Sequence, residues 1–259
     1  MEKKEVKIIL LAAGVGSRIS RFIDGKPKCT VNIGKEEKLI NYTFDLLNRK
    51  FNNPEVVMVL GYRSELIEEI IEKAVEEKGY NIKYYVNPFF RVTNSLGSLY
   101  FAKNELSTNT ILMNADVFIE EKGIDKIIDT INSEYPEKGP IMFTDESRIE
   151  GADYRFTYSL DDMILRNFGK EISDEETTGE YVGIAYIDKK HIRKFKQNLI
   201  HKVKVEEYGQ WWEDVLYDYI RKNESNIYLT SLKGCFWAEV DYVEDYNRII
   251  NFVKRHPTQ

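Results

Sequence analysis

Over the first half of the chain, short runs of consecutive apolar residues alternate with longer stretches in which apolar residues recur every three or four positions. The first pattern predicts buried strands and the second predicts amphipathic helices. VKIILLAA (6–13), PEVVMVLGY (54–62), YNIKYYVNP (80–88) and NTILMNADVFI (109–119) read as four strands. Between them, KLINYTFDLLNRKF (38–51), RSELIEEIIEKAVEEK (63–78) and SLGSLYFAKNEL (95–106) read as helices. A βαβα alternation joins parallel strands through crossover helices, so the expected class is α/β with a doubly wound, mostly parallel but mixed sheet, Rossmann-like in outline.

From about residue 136 the rhythm changes. GPIMFTDE (139–146), RFTYSLDDMILRNFG (155–169) and YVGIAYID (181–188) read as strands, the middle one folded back at the turn-forming pair Asp161–Asp162. Helices are expected at about 189–202 and 210–222, then a strand pair, NIYLTSL and CFWAEVD, and a closing helix from Tyr242. The 259 residues have room for one large α/β domain or two small ones. No linker rich in Pro, Gly or Ser divides them and no internal repeat is visible, so residues 1–259 are read as a single domain.

Composition narrows the function. A net charge of −6 argues against a broad nucleic-acid or membrane surface. No stretch has the length of a membrane span, and the two cysteines, Cys29 and Cys235, lack metal-ligand spacing, so a reduced, cytoplasmic protein is expected. His191, His201 and His256 lie in basic helical or terminal surroundings and read as solvated, which disfavours a histidine base.

The first strand empties into LLAAGVGSRISRFIDGKPKC (10–29). Gly14 and Gly16 let backbone N–H groups approach an anion, and on the glycines alone three readings stand: a dinucleotide site, a triphosphate site, or a tight turn. Ile19 takes the place of a third glycine and Gly-Lys-Ser/Thr is absent, which weakens dinucleotide and Walker-type readings. Arg18, Arg21, Lys26 and Lys28 fall within eleven positions with Asp24 the only acid. Such a basic cluster in an acidic protein suits phosphate, and Pro27 stiffens the approach to Lys28.

LAAGVGSR followed by KPK resembles the signature of the sugar-phosphate nucleotidyltransferase superfamily. The resemblance implies a nucleotidyltransferase fold with a nucleoside triphosphate on this loop, held by Gly14, Gly16, Ser17 and Arg18, with Lys28 on the reacting groups and Lys26 as a possible helper. Arg18 and Lys28 are then the expected catalytic residues. GEYVGIAYI and WWEDVLY resemble the cytidylyltransferase branch that includes phosphocholine cytidylyltransferases. The likeness spans nearly the whole chain and is strongest over residues 8–31, 94–118 and 180–241. It divides the domain into a nucleotide-binding half (1–135) and an acceptor-binding half (136–259).

Nucleotidyl transfer calls for Mg²⁺, which prefers a few carboxylates with water and phosphate. Asp116 ends the fourth strand, at the edge where open α/β sheets bind ligands, with helix capping or solvation as the plain alternative. Glu239 and Asp241 lie two apart on a strand and share a face, which favours a cation between them. Asp241 is also placed to cap the helix from Tyr242, with Glu244 completing a capping box. The resemblance supports Asp116, Glu239 and Asp241 as the metal set, Asp116 also facing the nucleotide.

Asn94, Ser95 and Ser98 stand at the mouth of a predicted helix. The resemblance puts Asn94 and Ser95 against the base or ribose, and an N-cap explains them equally well. Backbone of Leu11, Ala12 and Ala13 is expected to meet the base, and the preference for a pyrimidine comes from the resemblance alone. For the acceptor, Tyr154, Phe156, Tyr181, Trp211, Trp212 and Trp237 are candidates to enclose a quaternary ammonium, though aromatic residues more often fill cores. Arg148, Arg155 and Lys170 instead suit a carboxylate-bearing acceptor such as a phosphorylated amino acid. The acceptor set is therefore Lys170, Tyr181, Arg155 and Trp237.

These readings converge on an Mg²⁺-dependent transfer of CMP from CTP to a small phosphorylated acceptor with release of pyrophosphate. The rivals are a sugar-1-phosphate nucleotidyltransferase using UTP or dTTP and a non-catalytic nucleotide-sensing domain. No nucleic-acid or membrane partner is expected. The sequence is silent on oligomeric state, with a homodimer left open.

Overall fold

The computed structural model describes residues 4–256. The first βα repeats give β1 (Lys7–Ala12), α1 (Leu39–Phe51), β2 (Glu55–Leu60), α2 (Ser64–Lys78), β3 (Ile82–Val86), α3 (Ser95–Phe101) and β4 (Thr110–Asn114). Next come β5 (Val117–Ile119), α4 (Glu121–Asn132), β6 (Ile141–Asp145), β7 (Arg155–Tyr158) and β8 (Leu165–Gly169). The chain closes with β9 (Gly179–Ile187), α5 (Lys189–Lys204), α6 (Asp214–Arg221), β10 (Tyr228–Ser231), β11 (Trp237–Glu239) and α7 (Val243–Arg255).

The main sheet runs β10-β6-β9-β4-β1-β2-β3, with the β7–β8 hairpin attached to β9. β1 pairs in parallel with both β2 and β4, and β9 enters antiparallel between β4 and β6. The chain therefore steps from β1 to β2 and β3 on one side, then returns to place β4 on the other. The two loops leaving β1 and β4 part at that reversal and open a crevice at the C-terminal ends of the strands.

Alternate residues of β1 point to opposite faces, so its two faces seed two cores. Ile8 and Leu10 pack with Phe44 of α1, Ile71 of α2 and Ile127 of α4. Ile9 and Leu11 pack with Leu99 of α3, Phe195 of α5 and Leu216 of α6. The sheet is thus covered on both faces, as a doubly wound fold requires. No helix among the described residues is long and apolar enough to cross a membrane.

Two expectations need correction, and one segment without an assigned element gains one. The run 109–119 is two strands: Ala115 still bonds to β1 through Leu11, but the Asp116 carbonyl accepts from Val240 N at 3.0 Å, so the chain changes partner there. β5 then pairs antiparallel with β11 in a separate ribbon. The stretches 226–232 and 235–241 are not paired with each other, because β10 joins β6 and β11 joins β5. The segment 120–135, left unassigned by the sequence reading, forms α4, whose Ile124, Ile127 and Ile131 seal one sheet face.

A third core ties the glycine-loop segment to this ribbon through Ile19, Ile23, Phe118, Ala238, Val240 and Ile249. Phe118 is buried at its centre, stacked on Tyr42 with ring centroids 4.7 Å apart and edge-on to Phe236 and Phe252. Phe118→Ala is expected to cost about 3–5 kcal/mol in urea unfolding. A loss under 1 kcal/mol would show that the ribbon is not held by this core.

Candidate active site

The loop after β1 and the turn after β4 flank the crevice, and the β5–β11 ribbon brings a third segment to it. In the ribbon, Glu239 pairs with Val117 and Val240 bonds to Asp116. That register sets Asp116 beside Glu239 and Asp241, although they are more than a hundred residues apart. Lys28 arrives from the buried Pro27, which opens a single 3-10 turn at Lys28–Thr30 fastened by Thr30 Oγ1 donating to Pro27 O at 2.8 Å. Gly16 sits over the lysine's aliphatic chain at φ +64°, and a Cβ there would stand 2.7 Å from Lys28 Cγ. The second glycine is required on both counts.

Lys28 Nζ donates to Asp241 Oδ1 at 2.6 Å and to Asp116 Oδ2. Arg18 Nη2 pairs with the other oxygen of Asp241 at 2.9 Å, and its Nη1 donates to the Tyr242 hydroxyl at 3.1 Å. Burial works against the Lys28 ammonium, but attraction to Asp116 and Asp241 outweighs it and raises the pKa. For Asp241 burial pushes upward, and Lys28 followed by Arg18 holds it below the usual carboxylate range. Asp241 does not cap α7: Tyr242 occupies the N-cap position, without a side-chain capping bond. Its oxygens serve the two cations instead.

These groups stand on a cleft of about 470 Å³. Of the expected site residues, Leu11, Ala12, Ala13, Gly14, Arg18, Lys28, Asn94, Ser95 and Asp116 line it toward the glycine loop. Glu239, Asp241, Lys170 and Tyr181 line it as well, with Tyr154 and Trp211 from the aromatic candidates. Asn94 Oδ1 accepts from Ser95 N at 2.8 Å, capping α3, and Ser95 Oγ accepts from Trp212 N at 2.9 Å. Gly16 and the exposed Ser17 lie beside the cleft, Gly16 acting through Lys28.

Arg155 and Trp237 are outside this cleft. Arg155 donates to Ile172 O at 2.6 Å and pairs with Asp174, bracing the loop after β8. Trp237 is buried with Nε1 donating to Asp145 Oδ2 at 2.8 Å. Arg148 stacks on that indole and pairs with Glu180 and Asp245 around a smaller adjoining hollow. Phe156 and Trp212 are core residues. Of the histidines, His201 and His256 are exposed, while His191 is half-buried against the Glu137 carbonyl.

The sequence reading missed Asn114 and Glu213. Trp212 Nε1, a donor only, points at Asn114 Oδ1 at 3.1 Å, which turns the Asn114 amide nitrogen toward Glu239 Oε1 at 3.3 Å. Burial, then the charges of Asp116 and Asp241, raises the pKa of Glu239 well above the ordinary range. Gly183, at φ +77°, leaves the room its carboxylate needs, since a Cβ there would lie 2.5 Å from Glu239 Oε1. Burial pushes Glu213 up to about 8, and the neighbouring Asp214 and Asp116 add to the rise. Cys29 also lines the cleft, but burial drives its thiol up to about 12, so it is no nucleophile at neutral pH.

Among the described residues no group of three His, Cys, Asp or Glu side chains is arranged to hold a metal ion by itself, so the expected trio of Asp116, Glu239 and Asp241 is not assembled as one ligand set. What converges is a pair, Asp116 and Asp241, on a point filled by the Lys28 ammonium. A hard dication with phosphate and water for its other ligands needs no more than one or two carboxylates. The pair is enough in number and kind for such an ion.

No known family profile matches the chain. Choline-phosphate cytidylyltransferase of Streptococcus pneumoniae is 26% identical over 256 residues, covering 96% of this chain and 99% of that protein. Homologues of this chain are thus cytidylyltransferases, this one and the next. CTP:phosphoglutamine cytidylyltransferase of Campylobacter jejuni is 24% identical, covering 92% of this chain and 96% of its own length. The solved structure of the S. pneumoniae CTP:phosphocholine cytidylyltransferase superposes with a TM-score of 0.73 at 21% identity, over 96% of this chain and all of that one. The fold is that of the nucleotidyltransferases.

Gly16→Ala is expected to displace Lys28 and weaken nucleotide binding at least about tenfold by calorimetry; unchanged affinity would show that the contact is not needed. Between pH 4.5, where Glu213 ionises when unfolded, and about 8, the folded chain keeps a proton that the unfolded chain has released. Stability therefore falls as pH rises through that window. Glu213→Gln should flatten the fall in Tm between pH 5 and 8, and an unaltered slope would remove Glu213 as its source.

Proposed function

We propose that this protein is a cytidylyltransferase that joins CTP to a small phosphorylated acceptor and releases pyrophosphate. The observation that carries the reading is the Lys28 ammonium between Asp116 and Asp241, set at the glycine loop in a chain whose homologues are cytidylyltransferases. Both Lys28 and Arg18 are cations whose present partners are carboxylates lining the same cleft. When a triphosphate enters, they exchange those carboxylates for phosphate oxygens; Asp116 and Asp241 are the residues that would hold Mg²⁺. Bound there, the ion would offset charge on the phosphate oxygens.

An oxygen of the acceptor phosphate attacks the α-phosphorus in line. A new P–O bond forms as the bond from the α-phosphorus to the bridging oxygen breaks, and the electron pair leaves with pyrophosphate. The attacking oxygen is already anionic at neutral pH, so no side chain has to remove a proton, in keeping with a cleft that no histidine lines. Positioning and charge stabilisation supply the rate. Arg18, more exposed than Lys28, meets the outer phosphates at the cleft mouth, and Lys28 meets the reacting group.

Pyrophosphate release measured for CTP, UTP, dTTP and ATP against a panel of phosphorylated acceptors tests this. Release is expected with CTP, to stop with EDTA and to return with Mg²⁺. Release only with UTP or dTTP and a sugar 1-phosphate, or CTP binding without release for any acceptor, would overturn it. Lys28→Met and Asp116→Asn are each expected to lower kcat by about 100-fold or more with a native circular-dichroism spectrum. Near-native turnover in either would remove that residue from the centre.

A further inference from the structure

Beyond the phosphates, the cleft ends on a different chemistry. Glu213, just ahead of α6, lines it together with Tyr181 of β9 and Tyr217 of α6, and all three are more than nine-tenths buried. Among the described residues no lysine, arginine or histidine forms an ion pair with Glu213. The hydroxyls of Tyr181 and Tyr217 are buried and make no hydrogen bond of good geometry, Tyr181 standing beside Glu213 and Tyr217 beside Tyr154. Buried polar atoms left in this state are costly. A ligand that donates to them recovers that cost.

The cations near this end are already engaged. Lys170 pairs with Asp153 at 2.9 Å and lies over Trp211, while Arg155 and Arg148 are held outside the cleft by their own acids. Glu239, also without an ion pair, adds to the excess of acid. A carboxylate-bearing end of a ligand meets no free cation among the described residues here, whereas a cationic head meets the buried Glu213 carboxyl and favours its ionised form.

The aromatic residues at this end are spent largely on one another. Tyr217 stacks on Phe168 at 3.9 Å between centroids and lies parallel to Tyr154 at 5.7 Å. Tyr181 stacks on Phe156 at 5.4 Å, and Trp211 meets Tyr154 edge-on. A quaternary ammonium binds ring faces and can donate no hydrogen bond. What this end offers instead is oxygen: the Glu213 carboxyl and two phenolic hydroxyls.

We infer that the acceptor is a phosphate ester carrying a protonated amine with N–H bonds, and that Glu213, Tyr181 and Tyr217 select this head group over a quaternary ammonium. The inference rests on the CMP-transfer reading. A site built to accept hydrogen bonds rejects analogues that lack the donors far more strongly than a hydrophobic site rejects a small change in size. Each N-methyl group removes one donor and adds bulk against a polar floor.

The test is the kcat/KM for pyrophosphate release with CTP and the phosphate esters of ethanolamine and its N-methyl, N,N-dimethyl and N,N,N-trimethyl derivatives. It is expected to fall as N–H bonds are lost, by about tenfold or more across the series. Glu213→Gln and, separately, Tyr217→Phe should flatten the series, raising KM for the amine esters while KM for CTP stays within about twofold. A flat series in the unaltered protein, or one rising toward the trimethyl ester, overturns the inference and leaves CMP transfer standing. So does release with a neutral or carboxylate-bearing ester and with none of the four. Release with no ester at all defeats the transfer reading itself. In that case calorimetry with ethanolamine phosphate and phosphocholine, CTP present, decides: weaker choline binding supports the selectivity, and equal or tighter binding overturns it.

Discussion

One ammonium holds three remote parts of this chain in register. Lys28 reaches Asp116 and Asp241 from beneath the glycine loop, and each partner comes from a different element. Removing one member would leave the others as uncompensated buried charge, a change that typically costs about 3–5 kcal/mol. Most of the surrounding architecture serves this contact. Parallel pairing of β1 with both β2 and β4 creates the crevice, the β5–β11 ribbon sets Asp116 against Val240, and the absent Cβ of Gly16 makes room for the lysine.

The electrostatics divide the cleft into two ends. At the glycine loop, Lys28 and Arg18 are paired with carboxylates, the partners that the proposed nucleotide would replace with phosphate. At the far end, Glu213 is buried and Glu239 half-buried, neither with an ion pair among the described residues, and desolvation raises the pKa of both. A molecule with phosphate at one end and positive charge at the other matches both. Asn114 stands between the two ends, its oxygen taken by Trp212 and its nitrogen turned to Glu239, so the indole of a core tryptophan sets the polarity of the cleft floor.

The periodic parts of the fold were legible because burial dictates their pattern. The consecutive apolar runs became β1, β2 and β4, and the basic cluster after two glycines did mark the loop beneath which Lys28 lies. Residues whose role depends on partners far along the chain were not legible. The apolar stretch 109–119 carries no mark of its break, since Val117–Ile119 is as hydrophobic as the strand before it and only the arrival of β11 redirects it. Glu213 sits in a helix-like stretch where an acid reads as solvated; it is buried beside Tyr181, thirty-two residues earlier. Arg155 and Trp237 were plausible ligand residues until Asp174 and Asp145 claimed them. The helix Glu121–Asn132, by contrast, shows plain three-to-four spacing at Ile124, Ile127 and Ile131 and was available to the eye.

The most direct test of the lysine-centred site is a crystal structure with a non-hydrolysable CTP analogue and Mn²⁺, read from the anomalous signal. Mn²⁺ is expected on Asp116 and Asp241, with Lys28 Nζ moved off both carboxylates onto a phosphate oxygen. Nucleotide bound in the cleft with Lys28 still bridging Asp116 and Asp241, and no anomalous peak beside them, would contradict the exchange on which the proposed chemistry depends.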